Sequence, residues 1–291
     1  MKKISEILKL MRVKHYVKNV YVWFAIVFSG SLFDYKSLLS ILFAFLAFSF
    51  TSSFVYIIND IKDIEKDRLH EKKKKRPLAS GKISIKLGVI IAFASLVVAA
   101  VFDYLAVSNT WGTVLYLLGY ILINIAYSLK LKNIPLVDVA IIVVGFMLRM
   151  MYGAAVIGVE ISGWLYLTAI AGSFFQALGK RRNEISKNET GKSREVLKSY
   201  TREFLDKNMY MCMTLTIVFY SLWCVDPATI VDKNGELLIW SIPLVLLVCM
   251  KYSMILEGNS DGDPVDVILS NKLLILLVLG LATLLGIAIY L

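Results

Sequence analysis

Nine stretches of this 291-residue chain are apolar and long: 20–33, 38–58, 84–102, 111–129, 134–157, 161–178, 209–225, 237–256 and 273–291. A helix needs about 20 apolar residues to cross the hydrocarbon core of a bilayer. Inside lipid every backbone polar group must be paired, which leaves helices or closed barrels as spanning structures. The runs show no period-2 alternation, so a barrel is excluded. Hydrophobic residues make up 58% of the chain and charged ones 19%, with a mean hydropathy of +0.69. A soluble globule of that composition is excluded. The expected fold is an all-α polytopic membrane protein with nine transmembrane helices, residues 20–291 forming a single domain.

The cations give the expected topology. Of the 32 Lys and Arg, 29 fall in the N-terminus and in connections reached after every second span, chiefly 59–86 and 180–207. Lys36 and Lys233 lie on the other side, and Arg149 lies within a span. By the positive-inside rule the basic side is cytoplasmic, as in a bacterial plasma membrane, which places the N-terminus inside and the C-terminus outside. The net charge of +10 is thereby accounted for. Nucleic-acid binding is disfavoured, because the basic connections lack interleaved stacking aromatics. Residues 1–19 carry six cations and no cleavage site, so they read as an interfacial helix with Ile4, Ile7, Leu8 and Met11 on its apolar face. Cys212, Cys224 and Cys249 sit in apolar runs and read as small buried hydrophobes.

Chemistry concentrates where the second span ends. Asn59, Asp60, Asp63 and Asp67 follow an uncharged run at once. On a continuing helix they occupy one face within about two turns. Packed carboxylates repel one another unless a cation joins them. Oxygen-only ligands suit Mg²⁺ or Ca²⁺, and Mg²⁺ where phosphates share the ion. Arg68, Lys72–Lys75 and Arg76 follow in the same connection. Metal ligands beside cations are the pattern of a polyphosphate site. Binding to the anionic leaflet suits the lysine run better, which leaves Arg68 and Arg76 as the site candidates.

Nine spans with Asn-Asp-x-x-Asp-x-x-x-Asp after the second resemble the UbiA superfamily of intramembrane prenyltransferases. The resemblance implies a UbiA-like bundle with a cytoplasm-facing active-site cavity and Mg²⁺ held on a substrate diphosphate by Asn59, Asp60, Asp63 and Asp67. It also implies a second aspartate-rich motif after the sixth span. Here the chain instead reads Gly179-Lys180-Arg181-Arg182-Asn183-Glu184. That departure, Tyr127 through Lys132 to Pro135, Asp138, Gly145 to Arg149, and Arg12-Val-Lys14-His-Tyr-Val-Lys18-Asn19 resemble the decaprenyl-phosphate phosphoribosyltransferase branch. This branch moves phosphoribose from 5-phosphoribosyl-1-diphosphate (PRPP) to a polyprenyl phosphate. The resemblance implies Asp60, Asp63, Lys132 and Lys180 as catalytic residues. It implies Arg12, Lys14, Lys18, Asn19, Arg68, Arg76, Tyr127, Lys132, Asp138, Lys180, Arg181, Arg182 and Glu184 as substrate-binding residues. The charge load agrees: PRPP is charged at both ends and its acceptor is a lipid phosphate, so cations in place of a second acidic pair reduce repulsion.

Other readings stay open. Lys180–Arg182 at a helix C-terminus also satisfy the macrodipole and the topology rule. Tyr127 and Lys132 also read as an interfacial Tyr and a positive-inside Lys. Asp138 and Arg149, eleven residues apart, share a helix face, and intramembrane charges face a cavity or a partner. Asp261, Asp263 and Asp266 read as a solvated loop or a lid. A prenyltransferase acting on an aromatic acceptor would require the second aspartate motif. A transporter or lipid-binding protein would be expected to show inverted repeats, and none is evident.

Overall fold

A computed structural model describes residues 2–71, 73–106, 111–187, 195–258 and 264–291, and among these there is no strand. Lys72 and the acidic turn at Asp261 and Asp263 fall outside them. Among the described residues thirteen α-helices run in order: α1 (Lys2–Leu10), α2 (Phe24–Phe28), α3 (Tyr35–Lys62), α4 (Ile64–Leu69), α5 (Ile85–Ala106), α6 (Trp111–Leu129), α7 (Val137–Ile157), α8 (Gly163–Lys187), α9 (Arg202–Val225), α10 (Pro227–Asp232), α11 (Gly235–Glu257), α12 (Pro264–Leu269) and α13 (Lys272–Tyr290). Seven of them, α3, α5, α6, α7, α9, α11 and α13, are long and apolar enough to cross a membrane. The chain is an integral membrane protein. The sixth expected span lies in α8, whose 25 residues include the polar stretch Lys180–Lys187.

The stretch 20–33 is not one membrane-length helix. Val13–Trp23 winds as a 3₁₀ helix, and only Phe24–Phe28 continues as α-helix. Five α-helical residues rise about 7.5 Å, a fraction of the bilayer core. Gly30, with φ +79°, lies just beyond this short helix. The N-terminal segment opens with the helix α1. Leu10 is fully buried, with Ile7 and Met11 packed beside it, whereas Ile4 and Leu8 stay exposed.

The chain sorts into two compact units. The first comprises Met1–Leu129 and Leu148–Glu160, the second Lys130–Met147 and Ile161–Leu291. In the first, α3 is the central helix: 61% of its membrane window is buried, against 22% for α5. The Asp34 carboxylate caps α3 by accepting from the Ser37 amide at 2.9 Å. Phe48 and Ile57 of α3 share a core cluster with Val22, Ile26, Tyr120 and Tyr152. Lipid is as apolar as these side chains, so close packing and buried hydroxyls, more than water exclusion, hold such helices together. Ser49, Thr51, Ser52 and Ser53 supply the hydroxyls in mid-helix. The second unit centres on α8 and α9, with Phe175, Leu178, Tyr200, Leu205, Met209, Tyr252 and Leu256 in its core. Cys212 and Cys224 are buried there, and all three cysteines are free thiols.

Candidate active site

In the first unit α3 ends at Lys62, and Asp63 (φ −94°, ψ 10°) joins it to α4. The Asp63 amide still bonds the Asn59 carbonyl at 3.0 Å, and the Asp67 amide bonds the Asp63 carbonyl at 2.8 Å. The chain thus keeps a nearly helical path through the acidic motif. Asp60 and Asp67 are both 3% exposed, and they share one cation. Arg76 Nη1 lies 3.0 Å from Asp60 Oδ1 and 2.6 Å from Asp67 Oδ2. Arg12 Nη2 reaches the same Asp60 oxygen at 2.5 Å, its guanidinium 4.7 Å from the centre of the Tyr56 ring. The expected carboxylate repulsion is relieved by two arginines.

Asn59 is tied to α6. Its Oδ1 accepts from Ser128 Oγ at 2.8 Å, while Lys62 Nζ donates to the Ser128 carbonyl at 2.6 Å. That clamp fixes the end of α6 that carries half-buried Tyr127. Arg68 points elsewhere: it pairs with exposed Glu65 at 2.9 Å and is itself half exposed. Lys14 is exposed and Lys18 is half-buried. Asn19 is 1% exposed and bonds Ser49 and Arg149, so it is part of the packing between elements.

The donor set of the motif is all oxygen, the chemistry of a hard divalent ion. Among the described residues, however, no three His, Cys, Asp or Glu side chains group as a metal centre. The acidic motif is closed on Arg12 and Arg76 in this arrangement. Its residues fit a cation by chemistry; their present geometry is that of salt bridges.

In the second unit Asp138, near the start of α7, is fully buried. Its Oδ2 accepts from Arg181 Nε at 2.7 Å, and its Oδ1 accepts from the Tyr200 hydroxyl at 2.6 Å. The Leu136 amide donates to the same Tyr200 oxygen at 2.6 Å, and Leu136 itself has φ 67°. Arg181 Nη1 reaches Glu184 Oε2 at 2.7 Å. Arg182 Nε lies 2.5 Å from Asp206 Oδ1, and Asn183 Nδ2 donates to the Leu256 carbonyl at 2.9 Å. Arg181 and Arg182 are therefore engaged by carboxylates inside the fold, at 1% and 4% exposure. Lys180 and Lys132 are half-buried.

Burial, and then the bond to Asp138, push the Tyr200 hydroxyl up to about 12. It remains a donor to Asp138 throughout the physiological range. Its folded value is raised, so its contribution is fully present below the usual tyrosine value near 10 and is lost as pH climbs from about 10 to about 12. Tyr200→Phe should cost about 1–2 kcal/mol, because Asp138 and the Leu136 amide each lose a partner. The lower melting temperature should be constant between pH 6 and 9.

Some of these residues carry no motif. Tyr200 and Asp206 lie in or near a basic connection, where neither stands out. Ser49 and Ser53 offered a clearer signal: with Asp60 they follow i, i+4, i+11, one face of an otherwise apolar helix.

A model of the UbiA prenyltransferase family matches residues 20–271. The chain belongs to this family. A decaprenyl-phosphate phosphoribosyltransferase of Corynebacterium glutamicum is 32% identical over 97% of this chain and 86% of its own length. One of the same name from Mycolicibacterium smegmatis is 30% identical over 99% and 93%. Among solved structures, a UbiA homolog from Archaeoglobus fulgidus bound to DMAPP and Mg²⁺ aligns with a TM-score of 0.70 at 19% identity, covering 98% of this chain and 99% of that one. The same homolog bound to GPP and Mg²⁺ aligns at 0.69 and 18%, with the same coverage. Those structures share the UbiA fold with this chain. Asn59, Asp60, Asp63 and Asp67 lie within the matched segment, as do Lys132 and the stretch Lys180–Glu184.

Proposed function

We propose that this membrane transferase moves 5-phosphoribose from PRPP to a polyprenyl phosphate and releases diphosphate. The observation that carries this reading is near-full-length similarity to relatives named decaprenyl-phosphate phosphoribosyltransferase. The stretch after the sixth apolar span agrees with it, since Lys180, Arg181 and Arg182 stand beside a single acid, Glu184, where a second acidic metal site would need at least two.

Transfer breaks the bond between ribose C1 and the diphosphate oxygen, whose electron pair leaves with diphosphate. A lipid phosphate oxygen forms the new bond to C1. That oxygen is already ionised at neutral pH, so no general base is needed. As the old bond breaks, C1 gains oxocarbenium character. Asn59, Asp60, Asp63 and Asp67 would hold Mg²⁺, which when bound supplies charge neutralisation for the departing diphosphate. A homolog of the same fold has been solved with Mg²⁺ bound, which agrees with use of a divalent ion. Arg76 and Arg12, already among these carboxylates, would neutralise diphosphate oxygens. Lys14, Lys18, Tyr127, Lys132 and Lys180 are assigned to substrate phosphates. Arg181, Asp138 and Glu184 are assigned to holding the fold, because both carboxylates bind the one buried guanidinium. We place this chemistry at the cytoplasmic membrane face, with the N-terminus inside, on the strength of the cation distribution.

The test supplies purified protein and Mg²⁺ with PRPP plus polyprenyl phosphate, and separately with a polyprenyl diphosphate plus an aromatic acid. Lipid products are read by mass spectrometry. A phosphoribosylated lipid that disappears on adding EDTA is expected. A prenylated aromatic instead would overturn the reading in favour of general prenyl transfer.

A further inference from the structure

The 3₁₀ segment Val13–Trp23 meets α3 along a polar seam. On α3 the seam is Ser49, Ser53, Tyr56 and Asp60, spaced by four, three and four residues, so all share one face. On the segment and the residue preceding it, the partners are Asn19, Tyr16 and Arg12. Asn19 Nδ2 donates to Ser49 Oγ at 3.0 Å. Ser53 Oγ lies 2.8 Å from the Tyr16 hydroxyl and donates to the Met11 carbonyl at 2.8 Å. Arg12 covers Tyr56 and binds Asp60. The seam runs from the middle of α3 to the acidic motif and ends on Asp60, one of its two buried carboxylates.

The deep end of the seam is fixed from α7. Arg149 Nε donates to Asn19 Oδ1 at 2.8 Å, and its Nη2 donates to the Tyr120 hydroxyl at 3.0 Å. The guanidinium lies 5.0 Å and 4.7 Å from the Phe48 and Tyr120 ring centres. One turn on, Gly153 lets the segment's backbone approach closely: a Cβ there would lie 2.0 Å from the Val22 carbonyl oxygen. At the other end Arg12 adopts φ 54°, ψ 44°, a left-handed conformation that residues with a Cβ seldom adopt. A conformation of that kind persists where flanking contacts over-determine it.

We propose that Asn19, clamped between Ser49 and Arg149, is a positioning residue that sets Arg12 on Asp60 and so tunes how tightly the acidic motif holds a metal-bound diphosphate. This rests on the reading of residues 59–67 as the diphosphate site. Asn19 is buried, with its side-chain amide held by Ser49 and Arg149. It acts through a segment whose far end carries the arginine.

The test is a double-mutant cycle read by binding of inorganic diphosphate in the presence of Mg²⁺, with no turnover required. Asn19→Ala and Ser49→Ala should each weaken binding about tenfold, the usual scale for residues that orient a metal ligand. Arg149→Lys should match them, since one ammonium cannot serve Asn19 and Tyr120 as the fork does. Because Asn19 acts through Arg12, the double variant Arg12→Ala/Asn19→Ala should bind no worse than Arg12→Ala. Multiplying effects, or wild-type binding by Asn19→Ala, would overturn the inference. Melting temperatures are measured alongside, and Ser49→Ala, which removes a single hydroxyl, carries the test if Asn19→Ala does not fold. Wild-type protein that binds the probe but makes no phosphoribosylated lipid would sink the proposed function alone. Wild-type protein that fails to bind the probe would sink this inference as well.

Discussion

Asp60→Asn should lower turnover about a thousandfold while the protein still folds. One Asp60 oxygen takes the guanidinium of Arg12 at 2.5 Å and of Arg76 at 3.0 Å, in a side chain 3% exposed. The amide keeps the shape and removes the charge. A metal bound at the motif would lose a carboxylate ligand, and the two arginines would lose the anion that orients them. Metal stabilisation of a leaving group is worth several kcal/mol, and about 4 kcal/mol corresponds to the expected thousandfold at 1.36 kcal/mol per decade. The stability cost should be smaller, about 1 kcal/mol, because Arg12 and Arg76 remain 19% and 26% exposed and water screens their charge. Asp67→Asn should do less to turnover, since Asp67 meets Arg76 at 2.6 Å and Arg12 stays on Asp60. The check is kcat for lipid phosphoribosylation beside the melting temperature of each variant. Wild-type turnover by Asp60→Asn would remove the acidic motif from the mechanism.

The spanning helices were legible because hydropathy acts over a whole run. In α5, α6 and α13 each residue adds to the same signal, and a boundary error of a few residues changes nothing. The stretch 20–33 shows where that summation stops. Its composition is as apolar as that of its neighbours, but it is short and its first four residues belong to the 3₁₀ segment. What holds it is specific: Asn19 on Ser49, and the backbone at Val22 against Gly153. Hydropathy counts residues and does not register a hydrogen bond made between residues thirty positions apart.

The acidic motif was legible by the same logic of excess. Four oxygen-bearing side chains where an uncharged helix ends have few explanations. What the pattern could not give was their partners. Arg68 and Arg76 are equally basic and eight residues apart, and the chain path turns Arg76 to Asp60 and Asp67 but leaves Arg68 on Glu65. Lys180–Arg182 are a harder case. A row of cations reads alike whether it faces a phosphate or a carboxylate, and the carboxylates that decide the matter, Asp138 and Asp206, come from 43 and 24 residues away along the chain.

That distinction can be forced by experiment. Arg181→Gln should cost about 3–5 kcal/mol of stability, the scale for removing one partner of a buried pair. Asp138 would keep its Tyr200 hydrogen bond but lose the cation that balances a fully buried charge. Glu184, 22% exposed, can turn toward water and should add little to the loss. Arg181→Lys should recover only part of it, because a single ammonium lacks the planar fork that meets Asp138 through Nε and Glu184 through Nη1. The double variant Asp138→Asn/Arg181→Gln removes both charges and should be more stable than Arg181→Gln alone, a reversal that arises only if the two residues act on each other. Folded yield and melting temperature read these effects. The turnover of whatever folds should stay within about threefold of wild type, since a guanidinium 1% exposed and bound by two carboxylates is closed off from a substrate phosphate. A variant that folds at full yield and loses PRPP binding would instead make Arg181 a substrate cation, with Asp138 and Glu184 holding it in place until the phosphate arrives.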